Sequence, residues 1–355
     1  MKHLLLIIFL VILATSAFAQ TEQTMYWIGG AGSWSDLSHW SYQSGTQNPS
    51  NQPSSVPTAT TNVIIDGNSG LTGTGSVSAR RITVNISPVI KSLTFTAGSN
   101  ACLYNSGTQI LRVTGDITLQ ANTTIYYNSG FYIAMEPDAG NTSSLTTNGN
   151  PLTFYFGKNG SGTTNIVGDN ISTINLRVYG GTLNFNGTNW SSASMYVMND
   201  GTVMNMPNIS TYTNNGTSYI GGTAGNYNTS VSTATLSNAQ LNLPQVTDFT
   251  NRGDLFIMSS YGLTLPLCTT FSTGTSTLNI YNPSFLSMPV CSTISAYSFT
   301  LSSTIAHSFP ALKALTLSGL MQVGNVNASL ALGTDGTLVT CQAWTFGGTL
   351  LNADK

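Results

Sequence analysis

Charge is what this chain has least of. Ten of its 355 residues are Lys or Arg and twelve are Asp or Glu, 6% in all, where an average soluble protein carries roughly 25%. Nucleic acid and anionic membrane surfaces are held by clustered Lys and Arg, and a formal net charge of −2 argues against both as partners. Scarce acids also narrow the catalytic options. A glycosidase or lyase needs two or three carboxylates, or a carboxylate and a base, converging on one face. Four cysteines are too few to frame a chain this long with disulfides. After the first twenty residues no stretch spaces its apolar residues at helical intervals over three turns, and no later apolar run is long enough for a membrane helix. Disorder is also excluded, because 41% of the residues are hydrophobic and they are spread through the chain. The polar surface must therefore be built from Ser, Thr, Asn, Gln and Gly.

The start of the chain reads as a signal peptide over residues 1–19. Lys2 and His3 form a basic n-region, Leu4 to Ala14 an apolar run, and Ala17-Phe18-Ala19 a small-x-small cleavage site, placing the mature start at Gln20. No Cys stands at that point to carry a lipid. The expected destination is secreted or cell-surface, through a Gram-negative envelope, with no transmembrane segment after cleavage.

What is present is a repeat. An apolar-Pro-x-apolar unit recurs as Leu243-Pro244-Gln245-Val246, Leu265-Pro266-Leu267-Cys268, Met288-Pro289-Val290-Cys291 and Phe309-Pro310-Ala311-Leu312, each followed by an apolar-x-apolar triplet. The prolines Pro244, Pro266, Pro289 and Pro310 step by 22, 23 and 21 residues. A period in the low twenties marks a solenoid, whose coils bury their apolar faces only by stacking. Met206-Pro207-Asn208-Ile209 reads as an earlier copy, 37 residues before the next and so carrying an insertion. Between residues 70 and 240 short alternating patterns such as Ile82/Val84/Ile86 and Leu183/Phe185 read as strands, punctuated by turn pairs such as Asn148-Gly149 and Asp200-Gly201. The expected fold is all-β, a right-handed parallel β-helix or solenoid with ~22-residue coils and an N-terminal Trp-rich cap. Its divisions are 1–19 signal peptide, 20–68 Trp-rich cap, 69–240 irregular coils and 241–355 Leu-Pro coils.

The cap is read from Trp27-Ile28-Gly29-Gly30-Ala31-Gly32-Ser33-Trp34-Ser35-Asp36-Leu37-Ser38-His39-Trp40, where three of the five tryptophans fall together. Indole rings bury much apolar area and want one polar partner each, so a Trp-clamped loop is expected. With Val56-Pro57 and Asn62-Val63-Ile64-Ile65-Asp66, it resembles a module of large secreted and surface proteins of Bacteroidota, and related openings of autotransporter-like β-helix proteins. Thr61 and Ile65 depart from that pattern, which usually has Asp and Phe. The resemblance implies a surface or secreted repeat protein and no enzyme. The Leu-Pro units resemble two solenoid families. Phe309 to Ser318 is similar to a leucine-rich repeat, and Leu243 to Ile257 to a receptor L-domain repeat.

Chemistry is thinly spread. Glu136-Pro137-Asp138 is a candidate weak Ca²⁺ site through oxygen ligands or a solvated loop. His39 with Asp36 reads as support for the Trp loop, since a metal needs more ligands. Arg252-Gly253-Asp254 reads as a repeat turn, as does Gly115-Asp116-Ile117. Cys268 and Cys291 share one slot of consecutive coils and are expected to stack, as buried thiols or as a bridge. The leading expectation is a secreted or surface-displayed, adhesin-like structural or interaction solenoid without catalytic activity or cofactor, its partner a cell-surface protein or glycan. The alternative is a carbohydrate-binding or carbohydrate-active β-helix using exposed Tyr126, Tyr127, Tyr155 and Trp190 as a platform.

Overall fold

The computed structural model describes residues 22–46, 48–71, 77–96, 99, 101–105, 107–120, 126–127, 132–150, 152–222, 237–281, 284–302, 305–324, 329–333, 336–346 and 349–351; the leader expected over 1–19 lies outside them. The chain is an all-β solenoid of stacked parallel strands, three short strands to most coils. The first face starts with Gln23–Trp27, Thr61–Ile65, Ser92–Phe95 and Ile117–Leu119 and runs in parallel register to Gln240–Asn242. The second starts with Gly32–Ser33 and Arg81–Val84 and ends with Leu338–Thr340. The third runs from Val89–Ile90 to Ala343–Phe346. Strand Asn170–Val178 serves two faces, pairing Asn189–Ser192 through its first half and Met195–Val197 through its second. Pairing is unbroken across residue 240 on all three faces, so irregular and Leu-Pro coils form one stack.

In-register pairing turns alternation along each strand into files along the stack. Met25, Val63, Leu93, Ile117, Leu145, Ile166 and Phe185 form one inward file on the first face, none more than 2% exposed. Tyr212, Phe249 and Phe271 form another on the second, their rings stacked at 4.6 and 4.8 Å.

The proline units make the corner between the first and second faces. The amide of the fourth residue donates to the carbonyl of the first in each: Val246 to Leu243 at 3.4 Å, Cys268 to Leu265 at 3.3 Å, Cys291 to Met288 at 3.3 Å and Leu312 to Phe309 at 3.0 Å. These are β-turns with Pro at the second position, where its fixed φ is preset. The two apolar residues of each turn point into the core and the Pro between them faces outward. Met206 and Ile209 are buried in the same way, and Met206 donates to Asn242 O at 3.0 Å, directly beneath Leu243. Cys268 and Cys291 are buried free thiols in this turn, donating to Thr270 O at 3.1 Å and Thr293 O at 3.2 Å. Their mutual contact, then burial, raises the Cys268 thiol.

The N-terminal coil is closed by its tryptophans. Trp40–Ser41 pairs antiparallel to the outer edge of Gln23–Trp27, covering a strand edge open to pairing. Trp27, Trp34 and Trp40 are fully buried, with Trp40 edge-on to both others at 5.0 and 4.9 Å. Trp27 Nε1 donates to Gly30 O at 2.7 Å and Trp40 Nε1 to Trp34 O at 2.8 Å. His39 stacks on Trp27 at 4.9 Å, and its Nδ1 bonds Ile28 O at 2.9 Å. Asp36 accepts from Ser38 Oγ and N at 2.7 and 2.9 Å, bonds that hold its carboxyl below the usual range. Gly32 has to be glycine, because a Cβ there would lie 1.9 Å from His39 Nε2.

Polar ladders complete the stack. Asn184 donates its amide to Asn165 at 2.9 Å, Asn205 to Asn184 at 2.8 Å and Asn242 to Asn205 at 2.6 Å, along the outside of the first face. A buried ladder on the second face links Ser192 to Asn214 at 2.5 Å and Asn214 to Asn251 at 2.9 Å.

Two predictions follow from this packing. Trp40→Ala should destabilise the fold by ~3–5 kcal/mol, read as a lowered denaturation midpoint, because it empties the cap and uncovers the first strand. The second concerns His307, which pairs with Leu330 two residues before the Phe309 turn, 2% exposed and with neither ring nitrogen bonded. Burial drives its pKa down to about 4, from an ordinary value of about 6.5. The unfolded chain protonates this ring as pH falls through 6.5 and the folded chain does not, so stability is fullest above 6.5 and declines towards pH 4. The loss is at most ~3 kcal/mol, and in thermal melts from pH 7 to 4 His307→Leu should flatten it.

Candidate binding face

The third face differs from the other two in what it carries outward. Register places Arg112, Ala134, Gly157, Arg177, Tyr196, Tyr219, Phe256 and Asn279 in one outward file. Its aromatic part is a stack: Tyr196 to Tyr219 at 5.2 Å and 14°, Tyr219 to Phe256 at 4.7 Å and 5°, and Phe256 to Tyr281 at 6.4 Å and 9°. Met198, Tyr219, Met258 and Tyr281 are buried together here, with Tyr179, Tyr196 and Phe256 packed against them, as an apolar cluster separate from the interior core.

The upper part of the file is built from small residues. Tyr132 lies across Gly157, where a Cβ would fall 1.5 Å from its hydroxyl oxygen. The hydroxyl donates to Asn159 Oδ1 at 3.2 Å, Asn159 Nδ2 donates to Glu136 Oε1 at 3.2 Å, and the same oxygen meets Arg112 Nε at 3.3 Å. Burial raises the Tyr132 phenol and keeps it protonated. The Arg177 guanidinium lies 5.8 Å from the Tyr132 ring and 5.8 Å from the Tyr196 ring, joining the polar network to the aromatic stack. Beside them is an open depression of about 540 Å³, lined by Thr108, Gln109, Tyr132, Asn159, Arg177 and Tyr179 among others. The Oε1 atom of Gln109 is turned away from it, buried over Gly107 without a hydrogen-bond partner.

Lys158, one residue from this file, points the other way. It stands in the inward file between Met135 and Val178 and is fully buried. Its ammonium turns out at the corner to donate to Gly160 O and to Gly180 O, the latter at 3.0 Å. Burial lowers its pKa to about 8.

The sequence-derived candidates are scattered by comparison. Trp27, Gly29, Gly30, Trp34, Asp36, His39 and Trp40 lie together in the cap, and the four prolines lie on one corner. Trp190 has to be corrected. It is only 4% exposed and stands in the inward file beside Tyr212, against Phe185 at 5.4 Å, because the alternation of Asn189–Ser192 aims it at the core. Tyr126, Tyr127 and Tyr155 contribute strand backbone, but their side chains lie outside the described residues. Glu136 is engaged by Arg112 and Asn159, and Asp138 is exposed in its turn. Among the described residues no three His, Cys, Asp or Glu side chains come together to hold a metal ion. Asp254 and Asp116 each accept from a backbone amide of the next coil, Thr277 at 2.9 Å and Ser144 at 2.7 Å, the repeat-turn role. Comparison with protein-family models, with curated proteins and with solved structures finds no match for this chain.

The third-face file was missed in sequence reading because its members are separated by uneven steps, and only the coil lengths bring them into line. In the stack Tyr219 is sandwiched by rings on both sides. Tyr219→Ala should therefore destabilise the fold by ~3–5 kcal/mol, whereas Asn279→Ala, further along the same file, should change the urea midpoint little.

Proposed function

We propose that this chain is a secreted or surface-displayed, adhesin-like interaction solenoid that binds through its third face and catalyses no reaction. The observation that carries this reading is the outward row of Arg112, Tyr132, Arg177 and the stacked Tyr196, Tyr219 and Phe256, beside an open depression. A long file of rigid, mutually supported side chains is a preorganised contact surface, and preorganisation reduces the cost of ordering on binding. Glu136, the carboxylate on this face, is tied to Arg112 and Asn159, a poor starting point for general acid–base work. The alternative of a carbohydrate-binding solenoid is supported by the same depression, whose amide, hydroxyl and guanidinium lining matches a polar ligand. It is not supported by sugar stacking on the ladder, because the rings present their faces to one another.

Two measurements test the proposal. Protease treatment of intact cells should degrade the protein or find it in the medium; protection until lysis would sink the exported reading. The purified chain should be retained by cell-surface material and release no new reducing ends or unsaturated products from a polysaccharide panel. Turnover of any member would replace this proposal with an enzyme.

A further inference from the structure

We infer that the outside of the second face is an ice-binding surface, an array of hydroxyl groups that meets a plane of ice; this is independent of the third-face reading above. Register sets two outward files side by side. Thr213, Thr250, Ser272, Ser295, Thr316 and Thr340 form one. Thr211, Asp248, Thr270 and Thr293 form the other, two residues earlier on the same strands, before it changes to Ala314 and Leu338. Neighbours along a file stand about 4.8 Å apart, and neighbours across the two files about 6.6 Å apart, twice the rise per residue. Most members are Thr, whose side chain sets a methyl beside a hydroxyl, and Asp248 brings the one charge among them.

The array is flat. The rings of Tyr212, Phe249 and Phe271, inward on the same strands, stay within 12° and 3° of parallel from coil to coil, where adjacent strands of an ordinary sheet turn by roughly 20–25°. Its hydroxyls are also unspent. Among the described residues no Thr hydroxyl of either file bonds another residue, while Ser295 Oγ donates to Ser272 Oγ at 3.0 Å. The outward Asn amides of the first face, by contrast, bond one another. A partner that uses the whole array has to repeat in two directions, as the oxygens of an ice plane do at spacings of this size. Ice offers a donor or an acceptor at every oxygen, which suits a hydroxyl, and it carries no charge. A crystalline polysaccharide also repeats, but sugar rings are held by stacking on aromatic faces, and the rings on these strands point inward.

Uptake of the full chain into a slowly growing ice hemisphere tests the inference, with serum albumin in the same solution as the reference that ice rejects. The chain should be enriched severalfold over albumin in the ice fraction and should facet seed crystals that otherwise grow as round discs. Thr270→Tyr places a large side chain in the middle of the array at an exposed position, so the enrichment should be lost while the melting temperature holds. Thr316→Tyr, exposed on another coil, is a second variant with the same expected loss. Thr264→Tyr, exposed just ahead of the Leu265 turn and outside the array, should keep the enrichment. Rejection of the chain by ice alongside albumin overturns the inference, as does enrichment that survives both Thr270→Tyr and Thr316→Tyr. Rejection by ice together with sedimentation on microcrystalline cellulose, abolished by Thr270→Tyr, overturns it in favour of a crystalline polysaccharide.

Discussion

Every feature of this molecule depends on the in-register parallel hydrogen bonding between coils. Parallel neighbours lie about 4.8 Å apart, so each side chain spends its life against its counterparts one coil above and one coil below. Like meets like. For apolar groups and amides that is favourable, and the chain has an inward phenyl stack at Tyr212, Phe249 and Phe271 and an outward amide ladder from Asn165 to Asn242. For charges it is unfavourable, since like charges directly opposite one another on neighbouring strands repel. The 6% charge content is the compositional trace of that constraint. Arg112 and Arg177 share one file and are kept apart by Ala134 and Gly157.

Among the described residues, Lys158 and His307 enter the inward files nonetheless, and they resolve the conflict differently. Lys158 has a stem long enough to leave the Met135–Val178 file and bring its ammonium to the carbonyls of Gly160 and Gly180 at the corner. A charged head with an apolar stem can do this. His307 has no such reach, so its ring stays in the core neutral, with both nitrogens unbonded. The ends of the stack pose a separate problem, an unpaired strand edge. The Trp cap answers it at one end by turning Trp40–Ser41 antiparallel onto the first strand.

These same rules decide what was legible in the sequence. The Leu-Pro coils could be read directly, because a β-turn with buried first and fourth residues leaves a fixed pattern around each proline, from Pro244 to Pro310. The cap was legible through its crowded tryptophans. The orientation of Trp190 was not, because its neighbours Asn189 and Ser191 are polar and a two-residue alternation there has no long run to set its phase. The third-face file was hidden for a different reason. Arg177, Tyr196, Tyr219 and Phe256 are 19, 23 and 37 residues apart, and the unequal steps become a straight row only in the register of the stacked strands.

That row also shows where a repetitive stack acquires a recess. A file of identical residues has no recesses, since each member fills the space above the last, and the stacked rings from Tyr196 to Tyr281 use their faces on one another. A recess needs a break in the series. Here the break is the change from Ala134 and Gly157 to Arg177: the missing side chain at Gly157 lets Tyr132 lie flat across the strand and reach Asn159. A guanidinium then stands over the phenol where the ladder would otherwise have continued. Recesses in such a molecule form where the repeat changes, and the depression beside Arg177 lies at one such place.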